Sequence, residues 1–234
     1  MIIKKPTPAD LPWMSLLWQD AFEEKREDVE NFYETAFSCD RALVAEKLGA
    51  IYWMDVLGSG GKLAYLYAFA VEKAARGKGL GKALLEKTLK TLKEEGYAGA
   101  ILVPGEESLC PYYEKAGFTP FGERAVVVTA GDTGLSARKI TPEEYIALRE
   151  SFGSNLKWGR EAISYLGRLC DLYAGKNWLL ALGTEGVQEY LGDPCDFPAA
   201  LHACNRADSG EEHPRPMAYL FEHLPLPDRF APIF

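Results

Sequence analysis

Arg76-Gly77-Lys78-Gly79-Leu80-Gly81-Lys82-Ala83 sets three glycines and three cations into eight consecutive positions. The run follows an apolar stretch, Leu63 to Val71, and precedes a helical stripe of Leu80, Ala83, Leu84, Lys87 and Leu92. It therefore joins a predicted strand to a predicted helix. Glycine lets an anion approach the main chain without a Cβ clash, and the first N–H groups of a helix converge on such an anion. The chemistry expected of the turn is pyrophosphate binding. Two other phosphate patterns fail on inspection. A Walker loop needs Gly-Lys-Ser/Thr with a glycine five residues earlier, but Lys82 precedes Ala83 and that earlier position is Arg76. A dinucleotide fingerprint, Gly-x-Gly-x-x-Gly, breaks at Lys82 when begun from Gly77 and at Leu84 when begun from Gly79.

The elements that must position this turn can be read on either side of it. Thr7-Pro8-Ala9-Asp10 supplies a cap, a proline at the first helical position and an early acid, followed by Leu11, Met14, Leu17, Trp18 and Phe22 near helical spacing. A second helix is expected from about Asp28 to Phe37. Ala42 to Ala45, Ala50 to Val56 and Leu63 to Val71 read as three antiparallel strands separated by glycine-containing turns. The third is apolar throughout, as a central strand covered on both faces would be. The helix opened by the glycine turn runs to about Glu95. A strand over Ala98 to Val103, a short helix over Glu107 to Ala116 and a strand pair over Phe118 to Thr129, broken near Gly122, follow it.

With 234 residues, 47% hydrophobic and 26% charged, the chain is long enough for one large domain or two small ones. Its net charge of −8 gives no global support to binding nucleic acid or an anionic membrane, and fits a cationic amine better. No run approaches the roughly 20 apolar residues of a membrane span, and the scattered odd set Cys39, Cys110, Cys170, Cys195 and Cys204 suits a reducing cytoplasm. Cys195, His202, Cys204 and His213 match no paired-ligand spacing, so no metal is expected.

Val71-Glu72-Lys73-Ala74-Ala75-Arg76 leads into Arg76-x-x-Gly79-x-Gly81, and Pro111-Tyr112-Tyr113-Glu114-Lys115-Ala116-Gly117-Phe118 follows downstream. Together these resemble the GNAT acyltransferases, whose signature is Arg/Gln-x-x-Gly-x-Gly/Ala after a strand and whose fourth helix ends in Tyr-Glu-Lys-x-Gly-Phe. The resemblance covers roughly residues 1 to 130. It implies an α/β fold with a mixed central sheet flanked by helices, while the pattern that follows reads as a smaller C-terminal α+β segment beside it. The division expected is a catalytic domain over 1–132 and a second segment over 133–234.

The resemblance further implies acetyl-CoA as co-substrate. Gly77, Lys78, Gly79, Leu80, Gly81 and Lys82 would hold the pyrophosphate through main-chain N–H groups, with Arg76 and Lys82 adding charge. Phe69 and Val71 would act through their backbones, on the pantetheine and on the thioester carbonyl, an oxyanion-type contribution of roughly 3 kcal/mol. Tyr113 stands at the family position of the acid that protonates departing thiolate; Tyr112 is read as core or pocket wall. The acceptor implied is a primary amine of a small molecule or peptide, reached by direct transfer, since no histidine before His202 makes a local thiolate pair with Cys110. Homodimerisation is left open. An alternative reading is a CoA-binding module with a regulatory role and little catalysis. Glu23, Glu24, Tyr65, Tyr67, Glu106 and Glu107 could each face the cleft as the base, and the sequence does not choose between them.

After Gly131-Asp132-Thr133-Gly134 the pattern restarts. Ile140 to Tyr145 echoes Pro6 to Leu11 at an offset of 134, and Trp178 to Gly183 with Val187 to Leu191 echoes Ala42 to Val56 at an offset near 136. This suggests a degenerate half-repeat. No second glycine-rich turn accompanies it, so only the first half is expected to hold cofactor.

Overall fold

Thr7 and Asp10 close on each other at the head of the chain. The Thr7 N–H and hydroxyl both donate to Asp10 Oδ2, each at 2.9 Å, and Trp13 Nε1 donates to Oδ1 at 3.1 Å. This capping box turns the chain out of strand β1 (Ile3–Lys4) through a short 3-10 turn into helix α1 (Leu11–Phe22). Helix α1 buries Met14, Leu17 and Trp18 and ends at Glu23, whose φ of 56° is left-handed. Helix α2 (Arg26–Thr35) follows and buries Val29, Asn31 and Phe32.

In the computed structural model the described residues are 2–58, 60–122, 137–139, 141, 143–144, 147, 156–172, 180–182, 214–222 and 224–226. Strands β2 (Ala42–Ala45), β3 (Gly49–Gly58) and β4 (Gly61–Val71) form the antiparallel meander expected. Helix α3 (Leu80–Glu94) crosses over to β5 (Gly99–Leu102), which runs parallel to β4. Helix α4 (Cys110–Lys115) and strand β6 (Thr119–Pro120) come next. From the C-terminal segment come β7 (Ala137–Lys139), β8 (Lys157–Trp158), α5 (Arg160–Leu172), β9 (Leu180–Leu182) and β10 (Met217–Leu220). The main sheet has the order β1-β2-β3-β4-β5-β10-β6, with β8 pairing the end of β3, while β7 and β9 pair separately. It is the mixed α/β sheet expected. The neighbour of β6 among the described residues is the distant β10; residues 123–129 of the expected strand pair lie outside them.

Each face of the sheet carries its own core. One gathers α1 and α2 with Leu156, Trp158, Ala162, Tyr165 and Leu166 around β5 and the meander. The other packs Leu80, Leu84, Leu85, Leu89 and Leu92 of α3 and Tyr113 of α4 onto the opposite side. Among the described residues no helix is long and apolar enough to cross a membrane.

Candidate active site

Strand β4 is irregular where the site forms. Its register with β3 shifts between Ala50 and Tyr52, and opposite that shift Ala68 takes a φ of 45°, outside ordinary strand geometry. Pairing with β5 spans only Leu63, Ala64 and Tyr65, so β4 runs on to Val71 without it. The two parallel strands splay. The Glu72 N–H donates to the Leu48 carbonyl at 2.8 Å, on the β3 side. Because main-chain groups alternate sides along a strand, those of Ala70 also turn to β3, and those of Phe69 and Val71 turn into the splay.

The glycine turn lies just beyond. Gly77 and Gly79 have φ of 75° and 83°, and a Cβ on Gly79 would meet nothing within 4 Å, so conformation rather than space calls for glycine there. Gly79 is the N-cap of α3, and no side chain caps the helix. The first intrahelical bond runs from the Ala83 N–H to the Gly79 carbonyl, so the N–H groups of Leu80, Gly81 and Lys82 are left to point out of the helix end. Leu80 sends its side chain into the core and offers only its backbone. Arg76 Nε donates to the Val71 carbonyl at 2.9 Å and Lys78 Nζ to the Ala74 carbonyl at 2.8 Å, pinning the turn to the strand end. Lys82 is exposed, in a loose pair with Glu86 at 3.8 Å. All nine positions picked from the sequence for the cofactor thus lie on the splayed strand end, on the turn that follows it or in the first turn of α3.

Gly81 is glycine for a different reason. A Cβ there would sit 3.2 Å from the Tyr112 hydroxyl, with the side chains of Val71 and Phe69 at 3.5 and 3.6 Å. The Tyr112 hydroxyl fills the slot, sealed from solvent and without a hydrogen-bond partner. Tyr113 packs its ring edge-on to Phe118 and Tyr112. Burial, then the neighbouring Tyr112 and Cys110, raise its phenol well above the usual tyrosine value, so its proton is in place at neutral pH. The sequence set Tyr112 aside; the slot opposite Gly81 shows only in three dimensions.

On the other face of the sheet, Trp18 is the hub of an aromatic cluster, with the Tyr67 ring centroid 5.5 Å away and that of Tyr52 at 5.1 Å. Hydroxyls pair within it, Tyr33 with Tyr52 at 2.8 Å and Tyr67 with Tyr165 of α5 at 3.4 Å. Burial pushes the Tyr33 phenol up to about 12. Of the carboxylates open as bases, Glu23 is exposed and Glu106 accepts from the Ser108 hydroxyl at 2.6 Å, while Glu24 folds back beneath Trp18. Among the described residues no cluster of histidine, cysteine and carboxylate side chains is placed to hold a metal; Cys195, His202, Cys204 and His213 lie outside them.

Residues 11–118 match the model of the acetyltransferase (GNAT) family. This stretch is a GNAT acetyltransferase domain. It contains the turn, the splayed strand and Tyr113 together. Solved structures share the fold. A putative acetyltransferase from Pyrococcus horikoshii aligns at 14% identity over 99% of this chain and 94% of its own, with a TM-score of 0.59. A GCN5-related N-acetyltransferase from Anabaena variabilis aligns at 16% identity over 79% of this chain, TM-score 0.58, and one from Kribbella flavida at 15% over 94% of this chain and 71% of its own, TM-score 0.56. The aligned part spans about half of the Anabaena protein, 51%.

Proposed function

We propose that the GNAT domain transfers the acetyl group of acetyl-CoA directly to a primary amine of a small molecule or peptide. The observation that carries this reading is the uncapped start of α3, set behind left-handed glycines at the end of a splayed strand. The N–H groups of Leu80, Gly81 and Lys82, with those of Gly77 to Gly79, fit a pyrophosphate, and Arg76 and Lys82 add positive charge. Arg76 spends one N–H on Val71 and keeps the rest of its guanidinium for a phosphate.

Acetyl-CoA supplies a thioester-activated acyl group. Within the splay, the main-chain groups of Phe69 and the Val71 N–H are left to bond the pantetheine amides and polarise the acyl carbonyl, the Val71 carbonyl being held by Arg76. The buried phenol of Tyr113 holds its proton at neutral pH and is the acid for the departing sulfur. The α3 side of the sheet takes the donor, and the α1–α2 side is left for the acceptor.

Isothermal titration tests the reading. Acetyl-CoA should bind the folded chain, and Gly81→Val, whose side chain would collide with the Tyr112 hydroxyl and the Phe69 and Val71 side chains, should weaken binding at least tenfold, about 1.4 kcal/mol. A folded chain that does not bind acetyl-CoA, or binds it without ever releasing thiol when amines are supplied, would reject the proposal.

A further inference from the structure

Glu24 is held in place without being neutralised. The left-handed Glu23 that ends α1 turns the chain back, and Trp18 Nε1 donates to Glu24 Oε2 at 2.9 Å. The carboxylate is partly withdrawn from water, and among the described residues no lysine or arginine pairs with it. Burial, over the opposing Trp18 hydrogen bond and with help from the negative charge of Asp28, raises its pKa. A half-buried carboxylate with one neutral donor is poorly compensated, and a cation arriving beside it would relieve that cost.

Its location gives the cation an identity. Trp18, which holds Glu24, stacks edge-on to Tyr67 at 5.5 Å, and Tyr67 directly precedes the bulge at Ala68, beyond the last β5-paired residue Tyr65. Glu24 therefore lies on the Trp18 and Tyr67 side of the sheet, opposite the α3 core, close enough for its charge to act on the Tyr67 phenol beside the bulge. Phe22, 43% exposed at the end of α1, and the half-buried rings of Tyr33 and Tyr67 surround the same tryptophan. Tyr165 brings a hydroxyl from the C-terminal segment to this side.

Resting on the transferase reading above, we infer that Glu24 is the acceptor-binding carboxylate, recognising a primary ammonium carried on an apolar or aromatic body. The ammonium gives one proton to a Glu24 carboxylate oxygen, which frees its nitrogen lone pair, and the carboxyl returns that proton to solvent after turnover. Trp18 fixes Oε2, and among the described residues Oε1 accepts no hydrogen bond that would compete with the guest. The surrounding rings favour a cation with a flat or oily body over a strongly hydrated polyamine.

The test is titration of 2-phenylethylamine, benzylamine and n-hexylamine, each against its matching alcohol, into the free chain and into the chain with CoA. At least one amine should bind the wild type tenfold or more tightly than its alcohol. Glu24→Gln, which retains an acceptor for Trp18, should abolish that preference while leaving alcohol and CoA affinity unchanged. Glu23→Gln, removing the adjacent exposed charge, should preserve it. No amine preference in the wild type, a preference surviving Glu24→Gln, or an equal loss in Glu23→Gln would overturn the inference. Because the free chain is titrated too, amine binding without CoA binding would sink the transferase reading and leave the Glu24 site standing.

Discussion

Two adjacent phenols on one short helix have opposite reasons for being tyrosine. The Tyr113 ring is part of the α3-side core, whereas the Tyr112 hydroxyl is stranded, buried at Gly81 with nothing to bond. A sealed hydroxyl without a partner costs about 1–3 kcal/mol, so Tyr112→Phe should leave melting temperature unchanged or raise it. If that hydroxyl bonds bound acyl-CoA, the same substitution should weaken CoA binding several-fold, an opposition of signs that a packing role cannot produce. Tyr113→Phe should instead lower kcat by about 10²–10⁴ with CoA affinity unchanged, as loss of a general acid does; equal kcat in steady-state assays would reject its role. The glycines were legible in the sequence because positive φ and close approach both restrict residue type. Tyr112 was legible only as core or pocket wall and Glu24 only as one of six candidate bases, because what singles them out is a missing Cβ across a helix pair and a left-handed turn that folds a side chain back six residues.

The elements were legible where their pattern is local. The caps, the apolar β4 and the amphipathic α3 each stand within two residues or so of their expected bounds, since alternation and helical stripes are written in consecutive residues. Strand β10 was not, because its partners β5 and β6 lie about a hundred residues earlier and four residues carry no pairing signal. Thr141 and Glu144 exchange N–H bonds at 3.3 and 3.2 Å as a capping box, like Thr7 and Asp10. Asn31 of α2 donates to the Tyr165 carbonyl of α5 at 3.4 Å, tying the two helices together. The strand-turn-strand echo at Val187 to Leu191 lies outside the described residues. The first cap offers a test of pH dependence. Bonds from Thr7, Trp13 and Lys4 hold the Asp10 carboxyl far below the usual carboxylate range. A depressed folded-state pKa stabilises above the unfolded value of about 3.9 and loses that contribution as pH falls through the folded one. Asp10→Ala should therefore cost about 1 kcal/mol at pH 7, and its melting-temperature deficit should shrink steadily below about pH 4; a deficit constant from pH 7 to pH 2 would assign the loss to packing.

At the scale of the molecule, the sheet that carries the candidate site is completed from far along the chain. Strand β10 fits between β5 and β6, and a Cβ on Gly99 would collide with the Tyr219 carbonyl, so β5 carries glycine where β10 presses closest. Strand β8 extends β3, and Leu156, Trp158, Tyr165 and Leu166 are buried among α1, α2 and the meander. Removing these residues with Met217 would take away the burial of several large side chains, each worth about 1.5–3 kcal/mol, and would bare the edges of β5 and β6 that face β10. The sum is on the order of 10 kcal/mol, comparable with the whole stability of an ordinary domain, about 5–15 kcal/mol. A fragment ending at residue 132 is thus expected to lack a cooperative thermal transition and to bind no acetyl-CoA, while adding residues 133–234 as a separate chain should restore both in proportion to its concentration. A fragment that melts cooperatively alone and binds acetyl-CoA with full affinity would show that residues 1–132 are an independent domain and that β10 and α5 only dress its surface. The acceptor side separates these outcomes again. Tyr165 reaches Tyr67 from α5, so even a fragment that kept the cofactor should lose amine preference at Glu24 if the second segment helps build the cleft.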